Sequence, residues 1–184
     1  MGTPKQLLPL DGRPLLQHVI DAAVAASIPR IVLVLGEAAE EVAAAVRLPA
    51  DAVLEVNPRW DEGQATSLRA GLDAIPESVH GALVLLGDQP EVRPDAIWAL
   101  AEAYRLEDGG ALILRAAYRG HASHPVVLDR EVWPGVEALR GDQGARALLA
   151  AHAGRVRLVE VGGDAPEDVD TPEDLARLRA RRGP

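Results

Sequence analysis

Two acidic segments of this sequence could bind a divalent cation. Asp88 follows the apolar run 81–87, and Asp170 follows a second strand-like segment, 156–161, after a Gly-Gly turn. In an open parallel sheet, ligands bind beyond the carboxyl ends of the strands, so both aspartates are expected at one crevice. Magnesium is usually held by one or two carboxylates, with substrate phosphates and water completing its coordination. The pair therefore predicts a magnesium site.

Each aspartate also has an ordinary structural interpretation. Asp88 lies just before Pro90 and could cap a turn or a helix, and Asp170 could cap the helix that begins at Pro172. Taken singly, each capping role is as good an explanation as metal binding. The occurrence of both aspartates at strand ends of one predicted sheet favours the metal site.

Two other segments could bind phosphate or a nucleobase. Residues 63–67 (GQATS) open a predicted helix, whose free backbone N–H groups favour an anion. An ordinary capped helix start explains this segment equally well. Residues 141–146 (GDQGAR) also open a helix, and Arg146 could make a forked contact to phosphate or a surface salt bridge. His121 and His124 lack a third metal ligand, and we expect His124, before Pro125, to shape a loop or line a pocket.

These residues need a scaffold that brings distant segments together. Apolar residues at helical spacing predict helices, and short continuous apolar runs predict strands that are buried on both faces. The predicted helices are 15–24, 37–47, 66–75, 94–104, 131–139, 145–152 and one from Pro172, and the predicted strands are 31–36, 52–56, 81–87, 111–114, 125–128 and 156–161. This alternation predicts an α/β fold with a doubly wound, mostly parallel sheet between two helical layers. We expect one domain over residues 1–184.

Length and composition narrow the class of protein. The chain has 184 residues, 48% of them hydrophobic, which suits one domain with one sizeable core. The absence of cysteine excludes a disulfide scaffold and thiolate-bound zinc. A formal net charge of −9 disfavours nucleic acid and anionic membranes as partners. No apolar stretch approaches the ~20 residues of a membrane span, so we expect a cytoplasmic protein.

The sequence resembles the MobA-like nucleotidyltransferases. Residues 1–10 (MGTPKQLLPL) are similar to the end of the family signature LAAG-x-S-x-RMG-x-PK-x-LLPL. Further similar segments follow in the same order, at residues 57–68, 87–90, 120–128, 141–149 and 168–174. Pro4-Lys5 and the Gly87–Pro90 tetrapeptide (GDQP) are similar to the molybdenum cofactor cytidylyltransferase branch, whereas the guanylyltransferase branch usually has Asp-Lys at the first of these positions.

The resemblance implies a fold like that of the nucleotide-diphospho-sugar transferases, which is Rossmann-like. It implies magnesium-dependent transfer of CMP from CTP to molybdopterin, with or without bound molybdenum, and release of pyrophosphate. It places Lys5 on the phosphates and Asp88 and Asp170 on Mg²⁺. The implied nucleotide site is Gly2, Lys5, Asn57, Gly63, Gln64, Ser67 and Asp88, and the implied pterin side is His124 and Arg146.

Other functions remain as alternatives to this one. The chain could be a guanylyl or sugar-phosphate nucleotidyltransferase, or a non-catalytic protein that binds molybdopterin and delivers it to a molybdoenzyme. The resemblance also implies a strand and a glycine-rich loop ahead of Met1 that this sequence does not contain. We therefore expect the sheet to lack its first, typically central strand, and a chain without that strand and loop could be unstable or inactive.

Overall fold

The computed structural model describes residues 4–139, 141 and 144–183, and for residues 144–147 it describes the backbone alone. The helices are α1 (Leu15–Ala25), α2 (Ala39–Ala45), α3 (Gln64–Asp73), α4 (Pro94–Arg105), α5 (Trp133–Val136), α6 (Gly144–Ala151) and α7 (Pro172–Arg182). The strands are β1 (Pro9–Leu10), β2 (Arg13–Pro14), β3 (Val32–Leu35), β4 (Val53–Val56), β5 (Gly81–Val84), β6 (Ile113–Tyr118), β7 (His121–Asp129) and β8 (Val156–Glu160). Short 3₁₀ turns include Lys5–Leu7 and Trp60–Glu62.

The strands form three sheets within the described part of the chain. β1 and β2 make a short antiparallel hairpin, and β3 pairs with β4 in parallel. The largest sheet has the order β5-β7-β6-β8, in which β7 runs antiparallel to both neighbours and β6 is parallel to β8. The α/β class is confirmed, with β7 as an antiparallel strand in a sheet that was expected to be mostly parallel.

Helices cover both faces of the largest sheet. Side chains of α3, α5 and α6 share one apolar cluster with Ile113 of β6, whereas α4 packs against the next residue, Leu114, on the other face. This follows from the alternation of side chains along a strand. α1 contacts the β3–β4 sheet and the largest sheet. Leu16 packs in a cluster with Leu35 of β3, and Val19 packs in the cluster that includes Leu83 of β5. The result is a three-layer arrangement of helix, sheet and helix.

The apolar runs 31–36 and 81–87 are less buried than predicted. Leu35 is the only buried residue of β3, and Ala82 is the only one of β5. The expectation of strands buried on both faces is therefore wrong for most of their residues. The reason is that, among the described residues, β3 pairs only with β4 and β5 pairs only with β7, so each strand has one open edge.

The β6–β7 hairpin is longer than the sequence predicted. Strands were expected at 111–114 and 125–128, but pairing continues to the turn formed by Arg119 and Gly120, which both have positive φ. Such two-residue turns match the twist of paired strands, although arginine is an uncommon residue at the first position. Helix 131–139 was also overestimated, because only α5 and a preceding 3₁₀ turn form there. In the part of the chain that is described, no helix is long and apolar enough to cross a membrane.

Candidate active site

Three charged side chains meet at the carboxyl ends of the strands. The Nζ atom of Lys5 lies 2.6 Å from Oδ2 of Asp88 and 2.7 Å from Oδ1 of Asp170. Lys5 lies at the start of the 3₁₀ turn 5–7, Asp88 lies beyond the end of β5, and Asp170 lies just before α7. The two aspartates that are distant in sequence therefore lie together, as expected, and one ammonium group bridges them.

The polypeptide itself joins the segments that carry the two aspartates. The amide of Val169 donates a 2.9 Å hydrogen bond to the carbonyl of Asp88. The side-chain amide of Gln89 donates to Oδ1 of Asp168 at 2.8 Å. Gln89 and Val169 are both buried, so these contacts are shielded from water. The position of Asp170 relative to Asp88 is thus set by neighbouring residues and does not depend on the charges alone.

The cap of α7 leaves the Asp170 carboxylate available. Thr171 and Asp174 form a capping box, in which each side chain accepts a hydrogen bond from the other residue's backbone N–H. This capping box makes a capping role for Asp170 unnecessary. Hydrogen bonding to Thr171, with a further contribution from Arg177, lowers the pKa of Asp174 to about 2. The amide of Asp170 also donates to Asp174, at 3.1 Å.

The electrostatics of the three charged groups suit a cation site. Burial alone would lower the pKa of Lys5, but its hydrogen bonds to Asp170 and Asp88 outweigh this effect and hold that pKa above its ordinary value. Oδ1 of Asp88 is buried and has no hydrogen-bond partner in the part of the chain that the structure describes. A buried carboxylate oxygen without a partner is costly unless a further cation or donor reaches it. Nothing in this arrangement uses Asp88 as a cap.

The donor set also fits a divalent metal ion of the magnesium type. Such ions prefer oxygen ligands and commonly take one or two carboxylates from the protein. Asp88 and Asp170 supply these carboxylates, and the unpartnered Oδ1 atom of Asp88 provides a ligand position that Lys5 does not use. No cluster of three or more His, Cys, Asp or Glu side chains occurs in the described ranges, so the protein's share of the ligands there is small.

Asn57 holds the start of α3 in place. Its side-chain amide donates to Oγ1 of Thr66 at 2.8 Å and to Oγ of Ser67 at 3.0 Å, and its Oδ1 atom accepts from the amide of Arg59. The side chain is only 3% exposed. The resemblance placed Asn57 near the base and ribose, and the structure shows that its polar atoms are occupied by internal hydrogen bonds.

Gly63 brings the two glycine-containing segments into contact. It has φ of 106°, and a Cβ atom there would lie 2.5 Å from the carbonyl carbon of Gly141. Only glycine satisfies both conditions, because a side chain is strained at this φ and would collide with backbone. Gln64 follows as the exposed first residue of α3, and Ser67 is half-buried one turn later. The segments 63–67 and 141–146 therefore meet at Gly63 and Gly141.

His124 lies at the same end of the largest sheet. Its ring is half-buried, its Nδ1 atom is buried without a partner, and the His124–Pro125 peptide bond is cis. Burial lowers the pKa of His124, and the charge of Arg115 lowers it further, while a hydrogen bond to the Val84 carbonyl acts in the opposite direction. The prediction that His124 lines a pocket or shapes a loop is consistent with this environment.

Two predicted site residues lie wholly or partly outside the part of the chain that the structure describes. Gly2 lies outside the described residues, and Arg146 belongs to α6 but its side chain is outside them. Sequence reasoning assigned no role to Gln89, Asp168 or Arg115. Gln89 and Asp168 lie in segments that the family resemblance marked, so their pairing was within reach, whereas Arg115 lies outside all marked segments.

The fold, and the group of Lys5, Asp88 and Asp170 at the strand ends, place this protein in the class of nucleotidyltransferases. Residues 1–156 match the family model described as the MobA-like NTP transferase domain, and the chain belongs to that family. It is 33% identical to nicotine blue oxidoreductase of Paenarthrobacter nicotinovorans over 184 residues, which cover 95% of this chain and 87% of the relative.

Solved structures agree with this assignment. The crystal structure of Rv0371c from Mycobacterium tuberculosis superimposes with a TM-score of 0.85 at 32% identity, covering 98% of this chain and 90% of the other. A structure of the same protein in complex with manganese has a TM-score of 0.82 at 32% identity, covering 97% and 93%. The nucleotide-diphospho-sugar transferase fold expected from the resemblance is confirmed.

Proposed function

We propose that this protein is a cytidylyltransferase that moves CMP from CTP to molybdopterin, with release of pyrophosphate, during formation of a molybdenum cofactor. The single observation that carries the proposal is the group formed by Lys5, Asp88 and Asp170 at the carboxyl ends of the strands. Membership of the NTP transferase family supports a nucleotide as one substrate. The choice of CTP and molybdopterin comes from the Pro4-Lys5 pair and the Gly87–Pro90 tetrapeptide.

The site is suited to the electrostatics of nucleotidyl transfer. A phosphate oxygen of molybdopterin would attack the α-phosphorus of CTP, and the bond from that phosphorus to the bridging oxygen of the β-phosphate would break. Pyrophosphate leaves with the bonding electron pair. Because the attacking phosphate is already an anion near neutral pH, the reaction needs alignment and charge stabilisation more than a general base.

Each charged residue has a defined part in this scheme. Asp88 and Asp170 would hold Mg²⁺, which when bound neutralises phosphate charge and orients the triphosphate. Lys5 would leave the two carboxylates and donate hydrogen bonds to phosphate oxygens, since its ammonium carries three donors. Its side chain is 33% exposed and therefore reaches the solvent-filled side of the site.

The start of α3 would contact the nucleotide. Gly63, Gln64 and Ser67 lie on the first turns of that helix, where backbone N–H groups favour anions and polar groups. We assign Asn57 a positioning role, because its hydrogen bonds to Thr66 and Ser67 fix this turn relative to β4. His124 and Arg146 remain assigned to the pterin side, and Gly2 to the nucleotide site.

The proposal is tested by measuring pyrophosphate release. The protein is incubated with Mg²⁺, molybdopterin and each of CTP, GTP, ATP and UTP, and the nucleotide product is identified by mass spectrometry. CTP-dependent release is the expected result. Preference for GTP, or release only with a sugar phosphate as acceptor, would instead assign the protein to another branch of the family. Binding of molybdopterin without turnover of any NTP would support a delivery protein.

One comparison favours a second candidate. The relative from P. nicotinovorans is 33% identical over nearly the whole chain and carries the name of an oxidoreductase. We therefore include the reduction of nicotine blue as an activity to be tested, by following its visible absorbance with NADH or NADPH. A change in absorbance that persists in Asp88→Asn would favour this second function, because that reaction has no evident need for the carboxylate pair.

A further inference from the structure

The β6–β7 hairpin contains two buried polar atoms whose hydrogen-bonding capacity is unused. Among the described residues, Nε of Arg115 and Nδ1 of His124 each have no hydrogen-bond partner. Native structures satisfy nearly all their buried polar atoms, and an unsatisfied one usually marks a functional demand or a missing ligand. Both atoms belong to the same hairpin, in which Arg115 is on β6 and His124 is on β7.

The strand register aligns Arg115 with the last residue of β5, the strand that leads to Asp88. Arg115 pairs with Val126, and Val126 pairs with Val84 on β5, so the three residues form one row across the sheet. The register shifts immediately beyond Arg115, and the next pair joins Ala116 to Ser123. His124 and the residue after it therefore have no opposite residue on β6. Bulges of this kind are frequent next to active sites, where they redirect a side chain.

The same row ends on β5, the strand that leads to Asp88. Val84 is the last residue of β5, and the chain continues from it to Asp88. The charges of Asp88 and Asp168 both act on the His124 ring, as does the charge of Arg115. Arg115, His124 and Asp88 therefore belong to one electrostatic environment.

The two unpartnered atoms are chemically complementary. A neutral imidazole ring has one donor and one acceptor nitrogen, and the buried Nδ1 atom of His124 has no partner among the described residues. Arg115 has only donors. The pair thus offers a fixed positive charge with donors and, on the neighbouring strand, a ring nitrogen that a ligand can reach as a hydrogen-bond partner. A phosphate monoester close to its second pKa, which is about 6, carries both charged oxygens and a protonated one.

Arg115 also differs from neighbouring arginines in having no partner. Arg93 bonds to Asp95 and Arg119 pairs with Asp164, whereas the side chain of Arg115 makes no ion pair or hydrogen bond with any residue that the structure describes. A half-buried guanidinium without an anion is costly, because desolvation is not offset by pairing. A ligand with an anionic group would supply the missing partner.

We propose that Arg115 and His124 form the subsite that binds a phosphate group of the acceptor substrate. This inference rests on the proposed function for the identity of the two substrates. It adds Arg115 as a residue that binds substrate directly, and it gives the unpartnered atom of His124 a specific ligand.

The test begins with inorganic phosphate as the ligand and with no nucleotide or metal present. Phosphate binding is measured by isothermal titration calorimetry for the wild type, Arg115→Met and Arg119→Met, which is the matched control at the exposed turn of the same hairpin. We expect Arg115→Met to bind phosphate about 10- to 100-fold more weakly, because a charge-assisted contact is lost. Arg119→Met is expected to match the wild type. Equal affinity of the two variants would overturn the proposal.

A second variant separates binding from folding. Arg115→Lys keeps the charge but loses the fork of donors, and it is expected to bind phosphate with intermediate affinity. Thermal unfolding is measured in parallel. Because Nε of Arg115 has no partner in the free protein, we expect the melting temperature of Arg115→Met to be no lower than that of the wild type. A wild-type-like affinity of a folded Arg115→Met protein would again refute the subsite.

Steady-state kinetics then show whether the bound phosphate group belongs to the acceptor substrate or to the nucleotide. Arg115→Met is expected to raise the KM for the acceptor about tenfold or more while leaving the KM for the nucleotide within about twofold. A rise in the nucleotide KM alone would assign Arg115 to the triphosphate and overturn its assignment to the acceptor. If the wild type transfers no nucleotide at all, the proposed function fails, and the phosphate titration still decides whether Arg115 and His124 bind the anion.

Discussion

Lys5 donates a 2.6 Å hydrogen bond to Asp88, so a positive charge of the protein itself lies where a divalent cation is expected. The same ammonium reaches Asp170 at 2.7 Å. A metal ion that uses both carboxylates must displace this ammonium or bind against its repulsion. Lys5 can move away without loss when nucleotide phosphates are present, because they offer it new acceptors. We therefore expect metal entry to depend on nucleotide entry.

The first prediction concerns metal binding by Lys5→Met. We expect this variant to bind Mn²⁺ about tenfold more tightly than the wild type when no nucleotide is present, because the competing charge is gone. Its turnover is expected to fall about 100- to 1,000-fold, as is typical when one electrostatic partner of a transition state is removed. Electron paramagnetic resonance of free Mn²⁺ measures the affinity. Tighter binding by the wild type than by Lys5→Met would contradict the prediction.

A second prediction addresses the carboxylate. Asp88→Asn is expected to lower turnover about 100- to 1,000-fold while the protein stays folded, because the amide has nearly the same shape but carries no charge. Asp88→Ala should also lose turnover. Asp164→Asn is the matched control, since Asp164 is exposed and pairs only with Arg119 among the described residues. An active and well-folded Asp88→Asn enzyme would argue against the metal assignment.

Asn57 gives a third prediction, about stability. Asn57→Ala removes the partner of three groups, and its side chain is only 3% exposed. We expect a loss of about 1–3 kcal/mol in the free energy of unfolding, because buried donors and acceptors are left unsatisfied. Urea unfolding followed by circular dichroism measures it. A rise in the nucleotide KM should accompany the loss, since the first turn of α3 is no longer held; an unchanged KM would remove the positioning role.

A fourth prediction concerns how the stability of the fold changes at acidic pH. The folded-state pKa of Asp174 is lowered to about 2, from an ordinary value near 3.8. The carboxylate therefore stabilises the fold above pH 4, and this contribution is lost as pH falls toward 2. In Asp174→Asn, the melting temperature between pH 4 and pH 2 should decrease less steeply than in the wild type. Parallel profiles for the two proteins would show that the capping box contributes nothing through this charge.

Much of the site could be predicted from the sequence, because ligands of an open parallel sheet bind beyond the carboxyl ends of its strands. The apolar run before Asp88 and the strand-like segment 156–161 before Asp170 are local patterns, and together they predicted where both carboxylates would lie. The Lys5 bridge and the internal hydrogen bonds of Asn57 were not predicted, because they depend on tertiary contacts between distant segments. Arg115 was missed for a different reason. The predicted strand ended at Leu114 because Arg115 is polar, whereas the backbone pairing continues past it.

The last prediction concerns Gly63, where both the backbone conformation and the close approach of Gly141 exclude a side chain. Gly63→Ala places a methyl group at φ of 106° and 2.5 Å from the backbone of Gly141. We expect a loss of at least about 1–3 kcal/mol in the free energy of unfolding, which is the usual cost of one strained backbone conformation. Gly154→Ala is the control, because a Cβ atom there has no neighbour within 4 Å and the backbone has no positive φ. Chemical denaturation compares the two. Equal stability of the variants would mean that the segments 63–67 and 141–146 separate freely, and that nucleotide binding does not depend on their contact.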